Sequence, residues 1–389
     1  MSTSTPVTAA WGAVNAMTLG IFGIVAAEFL PASLLTPIAA GLGITEGMAG
    51  QSITVTAAVA FVASLLIAVV SSKFDRRNVL LFLSALLVLS NAMVALSSDY
   101  TALLFARVLL GISLGGFWAL SPATIMRLVP PASVPRALSV LFGGVAAATV
   151  FAAPFGSLVG ALVGWRAVFW TAAALGVVAF VIQLLNLPSM RATGIARLGT
   201  LFALLGRPQV GLGLFAFLLT FCGHFTFFSY LRPFLETITS LDAFGITMVL
   251  LIFGVGNFVG SSLASVLIRA SLGATTVVMP LTMAALAIVL AVFGGTAVLD
   301  TALIGIWGAA FGVVPVAWST WITQTVPDEA ESGGGLIVAA ANLAISIGAG
   351  AGGLLFDANG SRPVFFAAGL ILVVGFVAAA LANSMTRLR

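Results

Sequence analysis

Long runs of hydrophobic residues, separated by short polar or charged segments, make up most of the chain. A helix needs about 20 apolar residues to cross a bilayer, and twelve runs are long enough. We predict spans at residues 11–38, 47–70, 78–97, 100–124, 136–160, 166–187, 209–235, 243–268, 274–295, 299–324, 333–356 and 363–384. The runs are continuous rather than alternating, which favours helices over a transmembrane β-barrel. The pattern therefore predicts an all-α membrane protein with twelve transmembrane helices.

The composition excludes several classes of protein. Of 389 residues, 61% are hydrophobic and only 7% are charged, whereas soluble domains carry roughly 25% charged residues. A soluble enzyme and a nucleic-acid binder are therefore excluded. Cys222 is the one cysteine and His224 the one histidine, which argues against a disulfide framework, a cysteine or histidine metal centre and a serine triad.

The distribution of Lys and Arg predicts the orientation. With a cytoplasmic N-terminus, eleven basic residues lie inside and three outside. The inner set is Lys73, Arg76, Arg77, Arg127, Arg136, Arg191, Arg197, Arg207, Arg269, Arg387 and Arg389, and the outer set is Arg166, Arg232 and Arg362. We therefore expect both termini to be cytoplasmic. Residues 1–10 lack the basic segment of a cleaved signal peptide, so we expect the first span to be retained.

Two short matches indicate an internal repeat. Arg166-Ala167-Val168-Phe169 opens the sixth span and Arg362-Pro363-Val364-Phe365 opens the twelfth, while Val129-Pro130 recurs as Val326-Pro327. The offsets are 196 and 197 residues, about half the chain, as in transporters built from repeated bundles. We predict a six-helix bundle at residues 1–187, a cytoplasmic linker at 188–208 and a second six-helix bundle at 209–389.

The sequence contains no motif for ATP hydrolysis that could drive transport. Lys73, the one lysine, lies in Ser-Ser-Lys-Phe-Asp and not in a glycine-rich phosphate loop. The acidic group Asp328, Glu329 and Glu331 is the nearest approach to a Mg²⁺ site, and it is more simply a solvated loop. We therefore expect no cofactor, and transport driven by an ion gradient or by the gradient of the substrate.

Three motifs resemble those of the major facilitator superfamily. Asp75-Arg76-Arg77, after the second span, is similar to its inner-loop signature, with Ser71 at the usual glycine. Arg107 with Gly111 resembles its fourth-helix arginine motif. Ala153-Pro154-Phe155-Gly156 resembles the Gly-Pro motif of its proton antiporters. The resemblance implies two pseudo-symmetric bundles with alternating access, and a conformational role for Asp75, Arg76, Arg77, Pro154 and Gly156.

Within that superfamily, the chain is most similar to the bacterial purine ribonucleoside efflux permeases, from about residue 11 to its end. The stretches that carry this similarity are Glu28–Pro31, Ser33–Pro37, Ala49–Ser52, Gly115–Ala119 and Trp318–Thr323. The resemblance implies proton-coupled export of inosine- or guanosine-like nucleosides and their analogues. Related sugar-efflux antiporters share the Glu-Phe-x-Pro piece and a seventh-helix histidine, here His224.

Three ionisable side chains inside predicted spans are candidates for proton coupling. Polar residues at this depth are costly unless they face a cavity or a partner. Glu28 and Arg107 differ in predicted height by roughly 6 Å at 1.5 Å per residue, a gap that two long side chains can close. His224 lies in the middle of the seventh span and titrates near neutral pH. Each could instead have a structural role. Glu28 and Arg107 could form a buried pair, and His224 could be a core histidine with its hydrogen bonds satisfied.

Aromatic and amide side chains in the spans are candidates for substrate binding, since a purine needs an aromatic face and hydrogen-bond partners at its edge. The candidates are Gln51, Thr54, Trp118, Phe228, Asn257, Trp318, Trp321 and Asn342. The tryptophans could instead anchor the membrane interface, and the amides could join helices.

These observations predict a monomeric transporter of the bacterial cytoplasmic membrane that exports purine nucleosides in exchange for protons. Its partners would be a small-molecule substrate and the lipid bilayer, and not nucleic acid. The alternatives are a broader drug or sugar exporter with the same proton machinery and, more remotely, a membrane enzyme or a sensor.

Overall fold

The structure is a computed structural model that describes residues 9–70, 74–191 and 203–387. These residues form long helices and no strands. The helices are α1 (Trp11–Ser33), α2 (Leu35–Leu42), α3 (Glu46–Val70), α4 (Arg76–Leu96), α5 (Tyr100–Leu128), α6 (Val134–Val163), α7 (Trp165–Asn186), α8 (Pro208–Ser229), α9 (Leu231–Thr237), α10 (Ala243–Phe293), α11 (Ala297–Thr325), α12 (Ala330–Asn359) and α13 (Ser361–Arg387). The all-α membrane fold predicted from the sequence is confirmed.

The eighth and ninth spans together make up α10 and are separated by a break at Ser271, inside the gap that the sequence predicted between residues 268 and 274. This helix has 51 residues and a single non-helical residue at Ser271. The Oγ of Ser271 accepts a hydrogen bond from the backbone N–H of Ala274 at 3.1 Å, as an N-cap does. The chain therefore turns back at Ser271 without a long loop. The described residues include eleven helices long and apolar enough to cross a membrane, and the break at Ser271 divides one of them into two spans.

The first and seventh spans are each broken, whereas the sequence predicted continuous helices. Leu34 separates α1 from α2, and Tyr230 separates α8 from α9. A proline lies three residues beyond each break, Pro37 in α2 and Pro233 in α9. Because proline has no N–H and its ring clashes with the carbonyl four residues earlier, the helix cannot continue normally past that carbonyl.

Helices in the second half of the chain begin 196 or 197 residues after their counterparts in the first half. Trp11 and Pro208 open the first and seventh spans, and Trp165 and Ser361 open the sixth and twelfth. Arg166 donates to the carbonyl of Ser97, and Arg362 donates to carbonyls at the equivalent end of the ninth span. These correspondences support a repeat. The division into domains at 187 and 208 stays a prediction, and residues 192–202 of the linker lie outside the described residues.

Contacts between the two halves of the chain are concentrated toward one end of the bundle. We call this the Asp357 end, and the opposite end, which carries Asp75 and Arg207, the Asp75 end. Toward the Asp357 end, α3 packs against α12 and α6 packs against α10. A Cβ added to Gly254 would lie 2.8 Å from the carbonyl oxygen of Val150, so a glycine is needed for this close approach.

Candidate functional site

A small cavity lies between the two halves, near the middle of the first and seventh spans. Its walls combine residues of both halves: Glu28, Phe29, Ala32, Ile53, Phe225, Phe228 and Ser229. The cavity has room for about one water-sized group. Two of its lining residues, Glu28 and Phe228, are candidates that the sequence singled out.

Glu28 and Arg107 lie near each other without forming an ion pair within the described part of the chain. Arg107 is fully buried. Its Nη1 donates to the carbonyl of Ala27 at 3.1 Å, and its Nε donates to that of Ser52 at 3.4 Å. Arg107 therefore joins α5 to α1 and α3 through backbone carbonyls. Its Nη2 has no hydrogen-bond partner among the described residues, which leaves one donor of a buried cation unused.

His224 is enclosed by aromatic side chains of the second half. Its ring is stacked on Phe311, with centroids 3.4 Å apart and planes inclined by 4°. The indole N–H of Trp307 donates to His224 Nδ1 at 3.0 Å, so a neutral His224 carries its proton on Nε2. That nitrogen is buried and has no partner in the described ranges. Protonating Nδ1 would place two donors face to face, so this arrangement favours the neutral ring.

Phe228 and Phe29 meet across the cavity, with ring centroids 5.6 Å apart in an edge-to-face arrangement. Phe228 also packs on Phe253, with centroids 5.0 Å apart. Phe29 comes from α1 and Phe228 from α8, so this aromatic wall belongs to both halves. Phe228, a binding candidate from the sequence, thus lies beside the cavity. Its role in binding stays a prediction.

Trp318 and Trp321 lie in an aromatic cluster away from the cavity. Both are buried, and the Trp318 ring packs edge-on against Phe217 and Trp321 at centroid distances of 5.9 Å and 5.3 Å. Trp321 fills the space beside Gly213, where a Cβ would clash with the indole. Neither tryptophan is an exposed interface anchor. The Nε1 of Trp318 finds no acceptor among the residues that the structure describes.

The other binding candidates are spread over the helices and not gathered at the cavity. Gln51 lies between α3 and α12, where its Nε2 donates to the carbonyl of Gly350 at 3.4 Å, and Thr54 approaches the same glycine. Asn342 donates to Val338 of its own helix. Asn257 lies where α10 packs on α11, and Trp118 packs near Phe142.

Asp357, which the sequence analysis did not identify, links the two halves at one end of the bundle. Its Oδ2 accepts from the hydroxyl of Thr45 at 2.6 Å, and its Oδ1 accepts from the backbone N–H of Gly47 at 2.9 Å. These two groups stand at the first turn of α3, where N–H groups lack helical partners. A carboxylate from α12 thus caps a helix of the other half, and its charge suits the positive end of the helix dipole.

Arg232 forms a second link between the halves. It donates from Nη1 to the carbonyl of Ser33, which the ring of Pro37 has removed from helical pairing. Its Nε contacts Glu236 at 2.7 Å, and Glu236 accepts from the hydroxyl of Thr36 at 2.5 Å. Arg232 could have been identified from the sequence, because it is one of the three basic residues assigned to the outer side.

The motif at Asp75 holds two helices of the first half together. Asp75 caps α4 by accepting from the Arg77 N–H at 2.8 Å, and it also accepts from the hydroxyl of Ser189 and the N–H of Met190. The hydrogen bond from Ser189 is the largest of the effects that lower the pKa of Asp75 below its ordinary value of 3.8. The Arg76 N–H donates to the carbonyl of Met190, and the Arg77 side chain donates to that of Leu184.

Pro154 and Gly156 lie in α6, where it packs on α1. A Cβ on Gly156 would come within 2.6 Å of Ser33 Oγ and 2.9 Å of a Leu30 methyl group. The glycine therefore permits α6 to approach the segment of α1 just before its break. The conformational role of these two residues stays a prediction.

Comparisons with known proteins agree with the resemblance drawn from the motifs. A model of the Major Facilitator Superfamily matches residues 17–339. The chain is 45% identical, over 96% of its length and 94% of the relative, to the transcription regulatory protein OpdE of Pseudomonas aeruginosa. It is 43% identical, over 95% of its length and 94% of the relative, to the purine ribonucleoside efflux pump NepI of Salmonella paratyphi C.

Solved transporter structures share the fold. A bacterial homologue of the human lysosomal transporter Spinster, inward-facing and unoccupied, superposes with a TM-score of 0.80, 17% identity and 98% coverage of both chains. A D-xylose-proton symporter gives a TM-score of 0.80 at 15% identity, with 96% of this chain and 97% of that one covered. At these identities the likeness concerns the fold alone.

Proposed function

Because the chain belongs to the major facilitator superfamily, as its motifs predicted, we propose that it exports purine ribonucleosides in exchange for protons. Membership of this transporter family makes it a transporter and not an enzyme. The substrate class rests on the 43% identity to NepI along nearly the whole of both chains. The proton serves as the coupling ion, and the proposal includes no cofactor.

The observation that carries the proposal is a set of buried hydrogen-bond donors without partners inside the spans of both halves. Ser229, one of them, lines the cavity between the halves. The side chains of the described segments that carry these donors are Ser52, Thr54, Arg107, His224, Ser229 and Trp318. All six can donate a hydrogen bond. Leaving such groups unpaired costs free energy, so a ligand rich in acceptors would be favoured. The ring nitrogens and carbonyl of hypoxanthine or guanine, and the oxygens of ribose, supply such acceptors.

We propose that the Asp357 end faces the exterior and the Asp75 end faces the cytoplasm. Eleven basic residues against three support this orientation. Under it, the Asp357 and Arg232 links close the outer end, which corresponds to an inward-facing state. We place the protein in the bacterial cytoplasmic membrane as a monomer, with both termini and the linker cytoplasmic.

Cysteine labelling tests the orientation. In a Cys222→Ala background, an Ile195→Cys variant should resist an impermeant thiol reagent added to intact cells and should react after the membrane is permeabilised. Reaction of this cysteine in intact cells would reverse the assignment.

Glu28 is the residue that we assign to proton coupling. It lies at the wall of the cavity and close enough to Arg107 for the two charges to interact. Outer protonation of Glu28 would change this interaction and weaken substrate binding, and inner deprotonation would restore it. Such competition couples the two flows, because each ligand lowers the affinity for the other.

Regulation is the second candidate function, because a relative with 45% identity carries the name of a transcription regulatory protein. A transporter of this fold could alter transcription through the solute that it moves. A regulator that does not transport would leave solute gradients unchanged in a purified system.

Uptake into proteoliposomes tests the proposed function. With an acidic interior, the reconstituted protein should accumulate labelled inosine unchanged, and a protonophore should abolish the accumulation. Unlabelled guanosine should compete, whereas arabinose and a lipophilic cation should not. Competition by arabinose or the cation alone would favour the drug or sugar exporter, and an absence of uptake for every solute would favour the regulator.

A further inference from the structure

The hydroxyl of Ser229 is a polar group that neither the fold nor the proton-coupling scheme uses. Ser229 is the last residue of α8, at the break before α9, and its side chain is fully buried. It lines the central cavity together with Glu28. Its Oγ has no hydrogen-bond partner within residues 9–70, 74–191 and 203–387.

Ser52 and Ser229 are the two buried serines of the described residues whose hydroxyl has no partner, and of the two only Ser229 lines the cavity. A helical serine commonly satisfies its hydroxyl by donating to a carbonyl three or four residues earlier in the same helix. Ser121 donates in this way to Phe117 at 2.6 Å. Ser33, which occupies the position in α1 that corresponds to Ser229 in α8, donates to Leu30 at 2.9 Å. The hydroxyl of Ser229 is thus free for a partner that enters the cavity.

We propose that Ser229 Oγ binds a ribose hydroxyl of the transported nucleoside, beside the Glu28 carboxylate. This inference rests on the proposed function. A carboxylate can only accept hydrogen bonds, whereas a serine hydroxyl both donates and accepts. One ribose hydroxyl can therefore donate to Glu28 while it accepts from Ser229.

The size and walls of the cavity fit this ligand group. A space for about one water-sized group accommodates a hydroxyl and not a purine base. Phe29, Phe225 and Phe228 form most of the remaining wall, and their rings offer apolar contact to the sugar carbons and the base. Ser229 would therefore make the site select ribose over deoxyribose.

Binding of four nucleosides to purified protein tests the assignment. The ligands are inosine, 2′-deoxyinosine, 3′-deoxyinosine and 2′,3′-dideoxyinosine, measured by calorimetry. Wild type should bind inosine more tightly than the dideoxy compound. Ser229→Ala should weaken inosine binding roughly 3- to 10-fold, as expected for one neutral hydrogen bond, and should leave dideoxyinosine binding unchanged. Ser121→Ala, which removes an equally buried hydroxyl, should bind all four ligands as wild type does.

The outcomes separate the two proposals. If wild type binds inosine but Ser229→Ala binds it equally well, or weakens every ligand to the same extent, the assignment of Ser229 is wrong while the proposed function stands. If wild type binds none of the four nucleosides, the proposed function fails and this inference fails with it. Ser229→Thr keeps the hydroxyl and should keep the preference for ribose, which a loss of folding in Ser229→Ala could not imitate.

Discussion

Glu28 and His224 occupy corresponding positions in the two halves of the chain, each six residues before the break in its span (Leu34 and Tyr230). Their surroundings differ. Glu28 lines the cavity between the halves, whereas His224 is enclosed and its Nδ1 accepts a hydrogen bond from Trp307. Corresponding positions thus hold an acid and a base, and of the two the acid lines the cavity.

This difference predicts opposite results for two matched substitutions. Glu28→Gln should abolish inosine uptake driven by a pH gradient while keeping exchange of inosine across the membrane, because the neutral amide resembles a permanently protonated carboxyl. His224→Gln should retain gradient-driven uptake, since the hydrogen bond from Trp307 to His224 Nδ1 favours the neutral ring. Uptake and counterflow in proteoliposomes measure both.

Inosine affinity as a function of pH gives a second readout for Glu28. Wild-type affinity should fall as the pH is lowered from about 8.5 to 5.5, because protons and solute compete. In Glu28→Gln the dependence should disappear, since linkage is lost with the titrating group. Proton-driven uptake that survives in Glu28→Gln would refute the assignment, and loss of coupling in His224→Gln alone would transfer it to His224.

Removal of the Asp357 carboxylate should open the Asp357 end more often. Asp357→Ala deletes an N-cap that joins the halves, and a cap contributes about 0.5–2 kcal/mol. The open state should therefore become roughly 2- to 30-fold more populated. Asp242 caps α10 within its own half through Gly245 at 2.8 Å, so Asp242→Ala is the control. Distances between spin labels on the ends of α3 and α12 measure the shift, and equal distributions in both variants would contradict it.

Asp75 should make the contact between α4 and the end of α7 sensitive to acid. Folding lowers its pKa because Ser189 and backbone N–H groups stabilise the carboxylate. Such a group stabilises the folded state above its unfolded-state pKa, and the contribution is lost as the pH falls through the lower, folded-state pKa. Hydrogen exchange at Met190, corrected for the intrinsic effect of pH, should therefore accelerate below about pH 4. In Asp75→Ala the exchange should be fast already at pH 7. Slow exchange in the variant at pH 7 would show that the contact does not depend on this carboxylate.

Trp318 should contribute to the stability of the fold, although it lies away from the cavity. Trp318→Ala leaves a void beside Phe217 and Trp321, and large-to-small changes of this kind cost about 3–5 kcal/mol. Trp318→Phe keeps an aromatic filler and should unfold near the wild-type temperature. The sequence interpretation adds that Trp318→Ala should lose most of its inosine affinity. Thermal unfolding and binding on the same samples separate the two effects, and unchanged affinity in folded Trp318→Ala would remove Trp318 from the site.

The sequence by itself determined the membrane class, the helical fold and the family. Apolar runs of about 20 residues have few other stable structures in a bilayer, because every backbone polar group must be paired internally. Local patterns also located Asp75, Arg107 and the repeat, because motifs and the spacing between repeated segments can be recognised without knowledge of packing. Most span ends agree with the helices, because charges and helix breakers mark where the membrane ends.

The tertiary structure alone decided which residues meet. Asp357 lies about 310 residues from Thr45 and Gly47, and no local pattern reports that their helices are neighbours. The structure also located the breaks at Leu34 and Tyr230, and it showed that Arg232 donates to the carbonyl of Ser33, which the first break frees. Packing also separated Phe228, beside the cavity, from Trp318, in an enclosed cluster, although both are aromatic residues inside a span. Apolar residues that face lipid and apolar residues that face protein look alike in sequence, because the two environments are equally apolar. Only the arrangement of the helices therefore distinguishes residues that line the site from residues of the packed core.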